Sequence, residues 1–286
     1  MHVICANMHA AEPSAPSGPL ERALSSSVFD VYDELLVPLA FQAYADDAAV
    51  RLTDMRAGSI LEIAAGTGAL TRAMAGSLPG EVTITATDVV PGMLDRARRT
   101  GTTRPVAWEQ ANAIALPYEA ESFDVVVCQF GAMFFDPKRD AFAEARRVLR
   151  PGGRFLCSVW DGLDDNDFAA VVNEAVKSHF PDEPPRFLEL KPYAYHDRDM
   201  IVADIRAAGF DGQPAIEQVE HVSRSATPVE VAAAFIGGTP LRDQIEARGP
   251  DLLAGAIVAT AAALAERFGP TDLRGRMSAQ FVVSVR

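Results

Sequence analysis

The stretch SILEIAAGTGALT, Ser59 to Thr71, decides the fold. An apolar run, Ile60 to Ile63, meets the turn Gly66-Thr67-Gly68, and a helix-forming segment follows. Glycine has no Cβ, so backbone can approach a ligand there, and the first N–H groups of the helix point outward. Such a turn serves a dinucleotide, a phosphate or a ligand with no phosphate. The dinucleotide fingerprint G-x-G-x-x-G needs a third glycine where this chain has Thr71, and no Gly-Lys-Ser/Thr follows to make a phosphate loop.

Outward from this stretch the chain alternates short apolar runs with longer periodic ones. The runs are Val82–Asp88, PVAWEQA, Phe123–Phe130 and Arg154–Trp160; helices are expected over Ala69–Ser77, Pro91–Arg99 and Pro137–Leu149. Val125-Val126-Val127 shows no polar alternation, which fits a strand covered on both faces. Strands alternating with helices predict a doubly wound α/β sheet. Asp136-Pro137 reads as an N-cap with proline at the first helical position, and Pro151-Gly152-Gly153 as the stop of that helix. After Trp160 come a mixed insertion with a helix over Phe168–Phe180, a helix over Asp199–Ala208 and strand-like AIEQVEHVS. Thr227-Pro228-Val229-Glu230 has capping-box spacing, helices run to Arg276, and SAQFVVSVR is a last strand. One domain is expected over 20–286: N-terminal helices over 20–56, the core over 57–160, and covering insertions at 161–196 and 227–276, after a flexible tail over 1–19.

Composition narrows the partners. The 286 residues carry a formal charge of -13, which argues against nucleic acid and anionic membranes because phosphate surfaces need clustered cations. Arg96-Ala-Arg98-Arg99 and Arg146-Arg147 read as exposed helix faces. Cys5, Cys128 and Cys157 have no metal or disulfide spacing, which fits a reduced, cytoplasmic setting. The first residues lack the charged start and apolar stretch of a signal peptide, and LLAGAIVATAAALAERF is too short for a membrane span. The acids Asp161, Asp164 and Asp165 read as a solvated loop, with no metal expected.

Two acids characterise the ligand. Glu62 lies within an apolar strand, where a charge needs a partner. It either attracts a cationic ligand or makes a private bond to its surroundings. Asp88 ends the second strand, 20 residues beyond Gly68, where a carboxylate can accept from two adjacent ribose hydroxyls. The motifs LEIAAGTGALT, ATDVVPGMLDRA, ANAIALPYEAESFDVVVC and EARRVLRPGGRF, in this order, resemble class I S-adenosylmethionine-dependent methyltransferases. The small-molecule group that includes quinone-biosynthesis enzymes is the nearest in pattern, and the resemblance covers Ile60 to Trp160.

The resemblance implies a Rossmann-like, mostly parallel seven-stranded sheet with helical cap insertions, and S-adenosylmethionine as donor, released as S-adenosylhomocysteine. It places Gly66, Thr67 and Gly68 against the methionine part, with Glu62 supporting its amino end indirectly. Asp88 meets the ribose, Val89 and Met93 the adenine, Asn112 and Ala113 its edge, and Gln129 the sulfonium end. Ala64 replaces the usual first glycine, and Asn112 a common aspartate. Transfer from a sulfonium is an in-line displacement that needs alignment and desolvation more than acid–base chemistry. His196, Tyr193, Tyr195 and Tyr32 are the candidates should a base or a lid be required, and Phe134 and Phe135 are candidates for a substrate wall. The alternatives are an NAD(P)-dependent oxidoreductase, which Thr71 and Pro151-Gly152-Gly153 disfavour, and a cofactor-binding protein without transferase activity.

Overall fold

Val125, Val126 and Val127 are all buried, and their strand lies in the middle of a seven-stranded sheet. The computed structural model describes residues 18–286, so most of the expected tail and Cys5 lie outside the described residues. Pro19, where the expected tail ends, already opens a helix. Before the sheet come α1 (Pro19–Ser25), α2 (Val28–Val31), a π-helix (Tyr32–Phe41) and α3 (Gln42–Val50). Pro38 within the π-helix has no N–H to give, and the wider winding is visible where Gln42 N–H reaches the carbonyl of Val37.

The core runs β1 (Gly58–Ile63), α4 (Ala69–Ser77), β2 (Val82–Asp88), α5 (Pro91–Thr100), β3 (Ala107–Gln110), β4 (Phe123–Gln129), α6 (Lys138–Val148) and β5 (Leu149–Trp160). It continues through α7 (Asp167–His179), α8 (Phe187–Leu190), α9 (Arg198–Ala207), β6 (Asp211–Ser225), α10 (Pro228–Gly237), α11 (Leu241–Glu246), α12 (Leu252–Phe268) and β7 (Leu273–Val285). The strand order is β3-β2-β1-β4-β5-β7-β6; β7 runs antiparallel to both neighbours and the other pairs are parallel. The order reverses between β1 and β4, and ligands of open α/β sheets bind beyond the carboxyl ends of the strands at such a switch point.

Helices cover both faces. Phe155 of β5 meets Phe142 of α6 at 5.6 Å, while on the opposite face Tyr44 of α3 stands edge-on to Trp160 at 5.3 Å. α10 is buried nearly all round and joins α7 and α12 in a helical addition beside the sheet. No helix among the described residues is long and apolar enough to cross a membrane, and α12 buries Leu253, Ala256, Ile257, Thr260 and Leu264.

Several boundaries differ from the sequence reading. Pro137 is extended, with ψ 141, so α6 starts at Lys138 instead of at the proline. Leu149 already pairs with Phe123, so the helix ends before Pro151-Gly152-Gly153. The last helix stops at Phe268 and β7 begins at Leu273, short of the expected Arg276. The Thr227 hydroxyl caps α10 as expected, but Glu230 accepts from Ala226 N–H and the Ser225 hydroxyl instead of closing the box on residue 227.

Candidate active site

The chain leaves β1 through Ala64, whose φ of +55 is left-handed. Alanine there costs roughly 1–2 kcal/mol because its Cβ crowds the following carbonyl. Room for the methyl comes from Gly131, where a Cβ would stand 2.5 Å from that of Ala64. Gly68, with φ +86, is packed so closely that a Cβ would lie 2.7 Å from the indole of Trp108.

Asp88 closes the turn from the neighbouring strand. Its Oδ2 accepts from Gly66 N–H at 2.8 Å and its Oδ1 from Val90 N–H at 2.8 Å. Each oxygen retains a lone pair for a further donor. Burial raises the carboxyl above its ordinary pKa, and the backbone N–H groups pull it back only in part. Glu62 is buried beneath the turn, with its Oε2 accepting from the Thr71 hydroxyl at 2.5 Å. Burial pushes its pKa up to about 8; the Thr71 bond and the Arg72 charge oppose this, and the Asp88 charge reinforces it. The private partner left open by the sequence is therefore Thr71, the residue that breaks the dinucleotide fingerprint.

The remaining positions follow the sheet edge. Val89 is exposed, and Met93 and Ala113 are half-buried. Asn112 is a turn residue in this structure, its Oδ1 accepting from Ile114 N–H at 3.2 Å. Gln129 donates to the carbonyl of Phe41 at 3.1 Å, while its buried Oε1 has no hydrogen-bond partner.

An aromatic group stands beyond β4 and β5. Phe130, in a left-handed conformation at φ +52, stacks on Trp160 at 4.0 Å, and Phe41 and Tyr193 each approach Trp160 at 5.8 Å. Tyr32 stacks on Phe41 at 5.3 Å and holds its hydroxyl 4.0 Å from where a Cβ of Gly66 would be. Burial raises the hydroxyl pKa of Tyr32 and of Tyr193. The Tyr195 hydroxyl donates a hydrogen bond to Asp204 Oδ2 at 2.8 Å, and His196 is exposed. Phe134 is exposed and stacks on Phe187 at 6.2 Å, whereas Phe135 turns inward to Phe142.

Two readings of charge are corrected. Asp161 is buried, not solvated, because the Ser278 hydroxyl and Gln280 amide donate to it at 2.5 and 2.6 Å. Arg96 is not an exposed helix face: it pairs with Asp30, Asp33 and Glu34. None of the three acids of that N-terminal group carries a sequence signal, since acids are ordinary on helices; proximity in space alone reveals them. Cys128 and Cys157 are buried neighbours, and burial pushes the Cys128 thiol up to about 12, as suits an inert apolar group.

A glycine turn after β1, an acid ending β2 and this sheet order define a Rossmann-like protein that binds a nucleoside-bearing ligand. A methyltransferase-domain family model matches residues 61–157. The ubiquinone/menaquinone biosynthesis C-methyltransferase UbiE of Stutzerimonas stutzeri is 30% identical over 176 residues, 57% of this chain and 69% of that protein. A malonyl-[acyl-carrier protein] O-methyltransferase of Hahella chejuensis is 38% identical over 117 residues, 37% of this chain and 42% of that one. The chain spans about two fifths of the length of the first curated relatives it matches. The fold also matches the crystal structure of the YcgJ protein from Bacillus, with TM-score 0.54 and 18% identity over 85% of this chain and 98% of that one. The chain belongs to the class I S-adenosylmethionine-dependent methyltransferases. Its residues fit that donor: Asp88 has free lone pairs beside the two glycines of the turn, Val89 offers an exposed apolar surface, and Gln129 Oε1 is an unpaired acceptor.

Native Glu62 keeps its proton up to about pH 8, whereas an unfolded chain releases it near 4.5. Between these values the native state binds more protons, so this residue's contribution to stability falls as pH rises. Glu62→Gln is expected to gain stability relative to the parent from about pH 5 to about pH 8, checked by urea unfolding at both values. Ala64→Gly is expected to stabilise by about 1 kcal/mol in the same assay by relieving the left-handed alanine.

Proposed function

We propose that this chain transfers the methyl group of S-adenosylmethionine to a small, partly apolar acceptor. The observation that carries this reading is Asp88, its two oxygens oriented by Gly66 and Val90 beside the glycine turn. When bound, S-adenosylmethionine supplies a sulfonium methyl already activated for displacement. Asp88 would accept from the ribose hydroxyls, Val89 and Met93 would cover the base, and Asn112 and Ala113 would meet its edge. Gly66, Thr67 and Gly68 would lie along the methionine part, with Glu62 behind them and Gln129 at the reacting end.

Phe41, Phe130, Trp160 and Tyr193 would exclude water from the acceptor and align a flat, apolar portion of it. Tyr32 and Tyr193 hold their protons at neutral pH, so they serve as donors and ring surfaces, not as bases. The relatives are named for C- and O-methylation, and the aromatic enclosure favours a planar acceptor over a free polar chain. Residues 161–196 and the helices after 227 would form the substrate cover. A cytoplasmic location and the absence of a nucleic-acid partner belong to the same reading.

Calorimetry with S-adenosylhomocysteine tests it first: binding is expected, and stabilisation by NADH instead would reverse the assignment. Methyl transfer from labelled donor to a panel of quinols, phenols and acids then identifies the acceptor. Asp88→Asn is expected to weaken S-adenosylhomocysteine at least tenfold, about 1.4 kcal/mol, with the circular dichroism spectrum unchanged.

A further inference from the structure

An ion-pair cluster joins the N-terminal helices to the donor-binding half of the sheet. Asp33, buried at the start of the π-helix, accepts from Arg72 Nη2 at 3.0 Å, Arg96 Nε at 2.8 Å and the Thr100 hydroxyl at 3.0 Å. Arg96 also bonds Asp30 at 2.7 Å and pairs with Glu34 at 3.2 Å, while Arg99 adds a contact to Asp30. Arg72 completes the connection, since its other nitrogen donates to the carbonyl of Thr67 at 2.6 Å, within the glycine turn. Beside the cluster, Phe29 lies against the first turn of α5, so close that a Cβ on Gly92 would stand 2.2 Å from its ring. Apolar residues would cover this helix at least as stably, because buried charges lose hydration. What the charges add is a fixed placement of one element on another.

That placement matters because Tyr32 precedes Asp33 and its hydroxyl overlies Gly66. The far end of the same helix is tied down separately, by Gln129 to the carbonyl of Phe41 and by the Ser223 hydroxyl to that of Leu39. We propose that Asp33 is a positioning residue for the donor site: by joining Arg72 and Arg96, it holds Tyr32 over the glycine turn and sets how long the donor or its product stays bound. The identity of the ligand beneath Tyr32 rests on the methyltransferase reading; the clasp itself does not.

Asp33→Asn keeps the shape and removes the charge. Hydrogen exchange of the ligand-free protein is expected to accelerate at least about tenfold across residues 28–41 while β1, β2 and β4 keep the parent's protection. Stopped-flow release of S-adenosylhomocysteine is expected to speed up by at least about tenfold, and to show no further increase when Asp33→Asn is added to Tyr32→Ala. Unchanged exchange over 28–41, or an equal gain in release rate with and without Tyr32, would overturn the proposal. Should Asp33→Asn fail to fold, Arg96→Gln removes one of the two arginines that Asp33 joins while Arg72 stays paired, and the same two measurements decide. Failure of the parent to bind S-adenosylhomocysteine would sink the functional reading, and the exchange comparison would still judge the clasp.

Discussion

The carboxylate of Asp88 ties the loop after β1 to the end of β2 through a hydrogen bond from Gly66 N–H. Most of the site depends on that constraint. A glycine turn has little intrinsic shape, since glycine enters many conformations at similar cost. A charged acceptor at a fixed point of the sheet chooses one of them. The same carboxylate orders Val90 and so directs the entry to α5. The parallel sheet provides the fixed point, because β2 pairs with β1 as far as Thr87 and with β3 through Asp88 itself.

Beneath the turn a second polar contact sits where an apolar core would be expected. Glu62 and Thr71 bond each other across the start of α4, out of contact with water. Holding Glu62 largely protonated near neutral pH avoids most of the cost of a buried charge. A cationic group arriving above the turn would favour its ionised form, which gives an indirect route from Glu62 to the ligand. Ala64 and Gly131 show a related exchange of space: a methyl on one loop is accommodated because the facing loop has none.

The N-terminal helices close the other side. Arginines on α4 and α5 hold the front of the π-helix, while Gln129 and Ser223 hold its rear. The aromatic rings beyond β4 and β5 are therefore enclosed by an element that precedes the sheet in sequence. Asp30, Asp33 and Glu34 read as ordinary helical acids, and Arg96 as part of a solvated face. Their meaning arises only from the packing of α2 and the π-helix on α5. Asp161 was likewise illegible, because its partners Ser278 and Gln280 lie on β7, more than a hundred residues away.

The alternation of apolar runs with periodic segments determined the doubly wound sheet, since unbroken apolar strands must be covered on both faces. The glycine turn and Asp88 pointed to a ribose-bearing ligand, Thr71 spoke against a dinucleotide, and four motifs in order carried the resemblance to methyltransferases, because local turn geometry and strand ends are written in short stretches. The helix limits at Pro137 and Leu149 each shifted by one residue, the first because Pro137 is extended and the second because Leu149 pairs with Phe123. Only the tertiary structure decided which acids are buried, which arginines hold the N-terminal helices, and which rings gather beyond β4 and β5. Those choices depend on contacts between residues far apart in the chain, whose energies come from burial and pairing in space and leave no local pattern.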